Sequence, residues 1–194
     1  MSKVKAAVFA SGTGSNFEAI MKSENLACEI VLLVCDKPGA KVIEKAEQFG
    51  VQTFVLNPKD FSSKTEYEAE VLQAVRSHDV EWIFLAGYMR LVGKSLLEAY
   101  EGKMLNIHPS LLPAFPGKDA IGQAFQAGAN VTGVTVHYID EGMDTGPIIA
   151  QEKVPVFPGD TETSLKARIQ AVEHVLYPRV INEVVCLSEF NTVD

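Results

Sequence analysis

In its first half the chain alternates short apolar runs with stretches of helical periodicity. Residues 4–10, 29–35, 52–55 and 82–86 are runs of strand length. The last is apolar throughout, as a strand buried on both faces must be. Between them, 16–23 reads as a helix. Residues 41–49 carry Val42, Ile43, Ala46 and Phe49 on one stripe, with Gly50 as the stop. Ser63 and Glu66 form a capping-box pattern ahead of a helix with Tyr67, Val71, Leu72 and Val75 on one face. A β-α-β-α-β-α-β order needs right-handed crossovers between parallel strands. The expected class is therefore α/β, a Rossmann-like, mostly parallel twisted sheet with flanking helices. Ligands bind such sheets at the carboxyl ends of strands, which predicts a site near 11–16, 86–92 and 106–110.

The second half has another texture. A short helix near 94–100 and a strand at 104–107 precede an irregular stretch, 108–118, with three prolines and one glycine. A helix at 120–127 follows, then strands at 131–138 and 148–156 joined by the polar loop 140–146. Pro155 beside Glu152 and Lys153 suits an edge strand. This half is expected to extend the sheet with an antiparallel C-terminal part or to pack on it as a small subdomain. Asp160 can cap the last helix, whose apolar positions are Leu165, Ile169, Val172 and Leu176. Pro178 is expected to break or kink it, a second piece running to about residue 187.

Composition bounds the function. The 194 residues, 47% hydrophobic and 22% charged, are an ordinary globular mixture, which excludes disordered, collagenous and coiled-coil readings. The net charge of −8 argues against a nucleic-acid partner, and an anionic ligand would need a local device to hold it. Cys28, Cys35 and Cys186 show neither disulfide nor zinc spacing and are read as buried thiols. No leader pattern opens the chain and no apolar segment is long enough to span a membrane, so a cytoplasmic protein with no membrane partner is expected.

Ser11-Gly12-Thr13-Gly14-Ser15-Asn16 follows the first strand and opens a helix. Gly12 and Gly14 permit a tight turn and close backbone approach. Unpaired N–H groups at the helix start, with the dipole behind them, bind a phosphate, and Ser15 and Asn16 can add donors. The alternatives are a plain strand-to-helix turn and a dinucleotide site with Asp36 as its ribose acid. Phe17 stands where the third glycine of GxGxxG belongs, which favours a small phosphomonoester.

If the strand at 104–107 continues through His108, Asn106 and His108 share one face and Ile107 the other. An amide and an imidazole side by side suit acyl transfer: the amide donates to a developing oxyanion, and the imidazole donates or moves a proton. Asp144 lies in an acidic turn that lacks calcium-loop spacing, so no metal is expected there. Held near His108, its carboxylate could order a water; it could equally belong to a solvated turn. His137 is read as a satisfied, half-buried histidine, His78 as surface and His174 as structural.

These residues resemble the folate-dependent formyltransferases over essentially the whole chain. The motifs are SGTGSNF at 11–17, LAGYMRLV at 85–92, NIHPSLLPAFPG at 106–117, GVTVHYIDEGMDTGPII at 133–149 and EHVLYP at 173–178. The resemblance implies a formyltransferase fold in one domain, 1–194. Residues 1–100 would form a phosphate-binding half, and 101–194 a folate and catalytic half with the C-terminal helix. It implies transfer of a formyl group from 10-formyltetrahydrofolate, as co-substrate and without a metal, to the amine of glycinamide ribonucleotide, a step of purine biosynthesis. Asn106, His108 and Asp144 would be catalytic. Thr13, Gly14, Ser15, Asn16, Gln170 and Glu173 would bind the ribonucleotide. Lys64, Met89, Arg90, Leu91, Val92, Asn106, Asp140, Glu141 and Asp144 would hold the folate. The partners would be these small molecules, with the chain a monomer or weak homodimer. The family's histidine-bearing segment after the proline-rich loop reads Lys118-Asp119-Ala120-Ile121-Gly122-Gln123 here, which puts a histidine role there in doubt. Related activities would be formyltetrahydrofolate hydrolysis and formylation of methionyl-tRNA. Outside the family stand an NAD-dependent oxidoreductase and a non-catalytic phosphosugar-binding module.

Overall fold

A computed structural model describes residues 3–190; residues 1, 2 and 191–194 of the expected 1–194 domain lie outside the described residues. The strands are β1 Val4–Ala10, β2 Cys28–Cys35, β3 Gln52–Val55, β4 Trp82–Leu85, β5 Met104–His108, β6 Val131–Tyr138 and β7 Ile148–Pro155. The helices are α1 Ser15–Lys22, α2 Lys41–Gln48, α3 Lys64–Ser77, α4 Lys94–Ala99, α5 Ala120–Gln126 and α6 Glu162–Phe190. All strands join one sheet in the order β3-β2-β1-β4-β5-β6-β7. The first five are parallel, and β6 and β7 continue the same sheet antiparallel, so the second half is no separate subdomain. β7, with Pro155, is the edge strand.

The strand pattern explains the layers. On β1, Ala6, Val8 and Ala10 pack with α1, α2 and α6 on one face, while Ala7 and Phe9 pack with α3 and α4 on the other. Strands buried on both faces must read as continuous apolar runs. Chain order reverses direction between β1 and β4, and the crevice at that switch opens beyond the strand ends.

Four local expectations need correction. Ser63 Oγ accepts from Glu66 N, but the Glu66 carboxylate turns to Ser62 N and Oγ, so the capping box is half made. Thr161 Oγ1, not Asp160, accepts from Ser164 N; Asp160 is drawn to Arg168 by two hydrogen bonds of 2.7 and 2.8 Å. α6 runs unbroken through Pro178. Its middle is held by burial of Leu176, Tyr177, Val180 and Ile181, which offsets the one backbone hydrogen bond a proline removes. Cys186 is exposed, on the outer side of α6, while Cys28 and Cys35 are buried as expected. Among the described residues no helix is long and apolar enough to cross a membrane.

Candidate active site

Gly14 is the N-cap of α1 with φ +75, and a Cβ there would stand 2.6 Å from Val42 Cγ2. Only glycine lets α1 start this close to α2. The first N–H groups of α1 have no partner within the helix, so they face outward with the positive end of its dipole. Thr13 is exposed beside them, and Ser15 and Asn16 are half-buried.

α6 packs on α1 and brings Glu173 to this turn. Asn16 Nδ2 donates to Glu173 Oε2 at 3.3 Å, while Asn16 Oδ1 is buried without a hydrogen-bond partner. Glu173 is itself buried, and that burial pushes its carboxyl up to about 7, against the opposing pull of Asn16 and Lys166. Gln170, half-buried, lies one turn before it on the same side of the helix. Buried Tyr177, one turn later, donates its hydroxyl to Leu85 O at 2.8 Å, with Leu105 O at 3.2 Å. That contact anchors α6 to the two strands whose ends form the site.

A cleft of about 530 Å³ opens at the ends of β4 and β5. One wall is the loop Met89–Val92 and another the loop from Asp140 to Asp144; Asn106, His108 and His137 lie at its base. Met89, Leu91 and Met143 expose apolar side chains at the rim, which suits a flat, partly apolar ligand. β5 runs through His108, so Asn106 and His108 do share a face. Across the antiparallel ladder Asn106 pairs with His137 and His108 with Thr135.

The hydrogen bonds orient each ring. His137 Nδ1 is 2.8 Å from Tyr138 O, and a carbonyl only accepts, so Nδ1 carries the proton. Burial lowers the pKa of His137, and the neutral ring offers Nε2 as acceptor to Asn106 Nδ2 at 3.3 Å. The Asn106 amide is thereby set with its second N–H and its Oδ1 still to use. By the same logic His108 Nε2 donates to Phe115 O at 2.9 Å. Its other nitrogen, Nδ1, faces Asp144 Oδ2 at 3.5 Å. That separation is ion-pair distance and too long for a hydrogen bond, so an Nδ1–H stays available to an incoming oxygen. Asp144 Oδ2 accepts from Gly117 N at 2.8 Å, and its Oδ1 stands 3.7 Å from His137 Nε2. The carboxylate thus lies between two imidazoles.

The walls are braced as well. Thr135 Oγ1 donates to Ser110 O at 2.7 Å and accepts from Leu112 N and Gln151 Nε2. Ser110 Oγ donates to Ala114 O, so the proline-rich loop carrying Phe115 and Gly117 is tied at both ends. Asp140 Oδ1 accepts from Gly142 N and Thr145 Oγ1, shaping the turn that delivers Asp144.

Some expected residues lie apart. Lys64 is half-exposed, 3.8 Å from Glu68 Oε1 and outside the cleft lining, and the exposed Glu141 is outside it too. Arg90 lines the cleft, with its Nε donating to Asp36 Oδ2 at 2.8 Å. His137 was expected to be satisfied and half-buried; it is fully buried and holds Asn106. The signal for it was its parity with Thr135 on a strand that pairs with β5. His78 is half-buried, bonded to Ala74 O and Gln52 Oε1. Among the described residues no group of three or more His, Cys, Asp or Glu side chains is gathered as a metal ion would require.

Residues 4–181 match the formyl transferase family. A phosphoribosylglycinamide formyltransferase of Bacillus subtilis (strain 168) is 56% identical over 187 residues, which cover 95% of this chain and 96% of that one. The solved glycinamide ribonucleotide transformylase 1 of Geobacillus kaustophilus is similar at 57% identity with a TM-score of 0.92, covering 94% of this chain and 99% of that one. The phosphoribosylglycinamide formyltransferase structure from Streptococcus pneumoniae TIGR4 is 42% identical with a TM-score of 0.89, covering 95% of this chain and 99% of that one.

Proposed function

The chain belongs to the formyl transferase family, and from that premise we propose that it transfers the formyl group of 10-formyltetrahydrofolate to the amine of glycinamide ribonucleotide, a step of purine biosynthesis. The observation that carries this reading is the gathering of Asn106, His108 and Asp144 in one cleft at the end of β5, between the Met89–Val92 wall and the loop that ends at Asp144. The amine nitrogen adds to the formyl carbon, charge develops on the formyl oxygen, and the bond from that carbon to N10 of the folate breaks. Asn106, set by His137, offers an N–H to the oxyanion. His108 offers Nδ1–H, and Asp144 balances the imidazolium and lies where a proton leaving the amine can be received or relayed. The products are formylglycinamide ribonucleotide and tetrahydrofolate, N10 having taken up the proton.

In this reading Thr13, Gly14, Ser15 and Asn16 hold the substrate phosphate at the start of α1, and Gln170 and Glu173 reach its ribose and amine. Met89, Arg90, Leu91 and Val92, through their backbone, and Asp140 line the folate site, while Glu141 and Lys64 lie outside its lining. Residues 1–100 supply the phosphate site and 101–194 the catalytic groups. The protein acts in the cytoplasm as a monomer or weak homodimer, with no metal. Formyl transfer followed by folate absorbance tests the reading: turnover should require glycinamide ribonucleotide. Release of formate without the acceptor would mark a hydrolase, and no turnover with either would overturn the proposal.

A further inference from the structure

Asp36 follows β2 beside the glycine turn, where a dinucleotide-binding enzyme keeps a ribose-binding acid. Here both its oxygens are taken. Oδ1 accepts from Ser11 Oγ, and Oδ2 accepts from Arg90 Nε at 2.8 Å. Ser11 Oγ has one proton, which goes to Asp36, so its lone pair receives Met89 N–H at 3.0 Å. Ser11 N donates to Gly87 O at 3.2 Å. The Arg90 guanidinium lies over the Tyr67 ring, 5.5 Å from its centroid, and Tyr67 Oη is 2.9 Å from Tyr88 Oη. Two irregular segments, the turn at 11–14 and the loop at 87–92, are joined through one carboxylate whose side chain is 8% exposed. Burying that carboxylate costs desolvation, so the clearest use of its contacts is to specify geometry.

We propose that Asp36 is a positioning residue that, through Ser11 and Arg90, locks the phosphate-binding turn and the folate-binding loop into one register, so that a ligand on the turn tightens the loop. The proposal rests on the reading above that these two segments serve the two substrates. The direction of every hydrogen bond is set by Asp36 being an acceptor only. An amide in its place has a single acceptor oxygen, so it cannot receive both Ser11 Oγ–H and Arg90 Nε–H, and the charge opposite Arg90 is lost; one of the two links is broken. Coupling between two binding sites is reciprocal, so its loss must weaken both substrates.

Amide hydrogen exchange of the peptide spanning 87–92 tests this, with ribose 5-phosphate as the probe for the glycine turn. In the unaltered protein, bound ribose 5-phosphate should slow exchange of the Met89 amide by about fivefold or more. In Asp36→Asn it should still bind and leave that exchange unchanged. KM for both substrates should rise about tenfold with kcat within about twofold, whereas a merely structural residue would lower Tm and leave the KM values alone. If Asp36→Asn does not fold, Ser11→Ala, which cuts the link between Asp36 and Met89 N–H, should give the same pattern. Binding with equal protection in variant and unaltered protein, or binding without protection in the latter, overturns the positioning role. Failure of ribose 5-phosphate to bind at all overturns the phosphate reading and this proposal with it.

Discussion

Glu173 should make the protein less stable as the pH rises, and Glu173→Gln should remove that loss. The residue is buried against α1 with one hydrogen bond from Asn16, and burial lifts its pKa from 4.5 to about 7. Between those values the folded chain keeps a proton that the unfolded chain has released. Stability from this group is therefore complete below pH 4.5 and falls until the pH passes about 7. The displacement corresponds to about 3 kcal/mol held against the ionised carboxylate. Glutamine has the same shape, still accepts from Asn16 and never ionises. The difference in unfolding free energy between the variant and the parent, read by urea denaturation, should be small at pH 4.5 and about 3 kcal/mol in the variant's favour at pH 8.5. For a chain of this size that is roughly 6–12 °C in Tm. His137 and His174, whose pKa values burial lowers, are common to both proteins and cancel in the difference. A difference that stays constant with pH, or that favours the parent as pH rises, would refute the reasoning. At pH 8.5, where Glu173 is ionised, the same variant should bind glycinamide ribonucleotide about tenfold more weakly, losing a charged partner.

Two further substitutions probe the scaffold. Gly14→Ala should cost about 1–3 kcal/mol in thermal unfolding, because alanine is strained at φ +75 and its Cβ meets Val42; adding Val42→Ala should restore only part of this, since the backbone strain remains. His137→Ala should lower kcat by about 10–10²-fold with KM little changed, because the Asn106 amide loses the acceptor that orients it; steady-state kinetics at saturating substrates would show it.

The fold was legible because most of its strands are buried on both faces and announce themselves as uninterrupted apolar runs, separated by helices with one apolar stripe. β6 and β7 were legible as strands, but their place in the sheet depended on where the irregular segment at 108–118 returns the chain. The same dependence hid His137: its partner Asn106 is fixed by the β5–β6 register, which the residues between them set through tertiary contacts. Asp36 was read with the glycine turn but without Arg90, which lies 54 positions away. Pro178 misled because helix propensity is local, whereas α6 is held by Tyr177 bonding to the sheet beneath it. Cys186 falls near the end of α6, where the stripe that faces the core no longer identifies the buried side.

The central claim is that Asn106 stabilises the oxyanion on the way to formyl transfer. Its most direct test is kcat of Asn106→Ala at saturating 10-formyltetrahydrofolate and glycinamide ribonucleotide, with binding of each substrate measured alongside. The account predicts a loss of about 10²–10³ in kcat with substrate binding largely kept. A kcat close to that of the unaltered protein would contradict it.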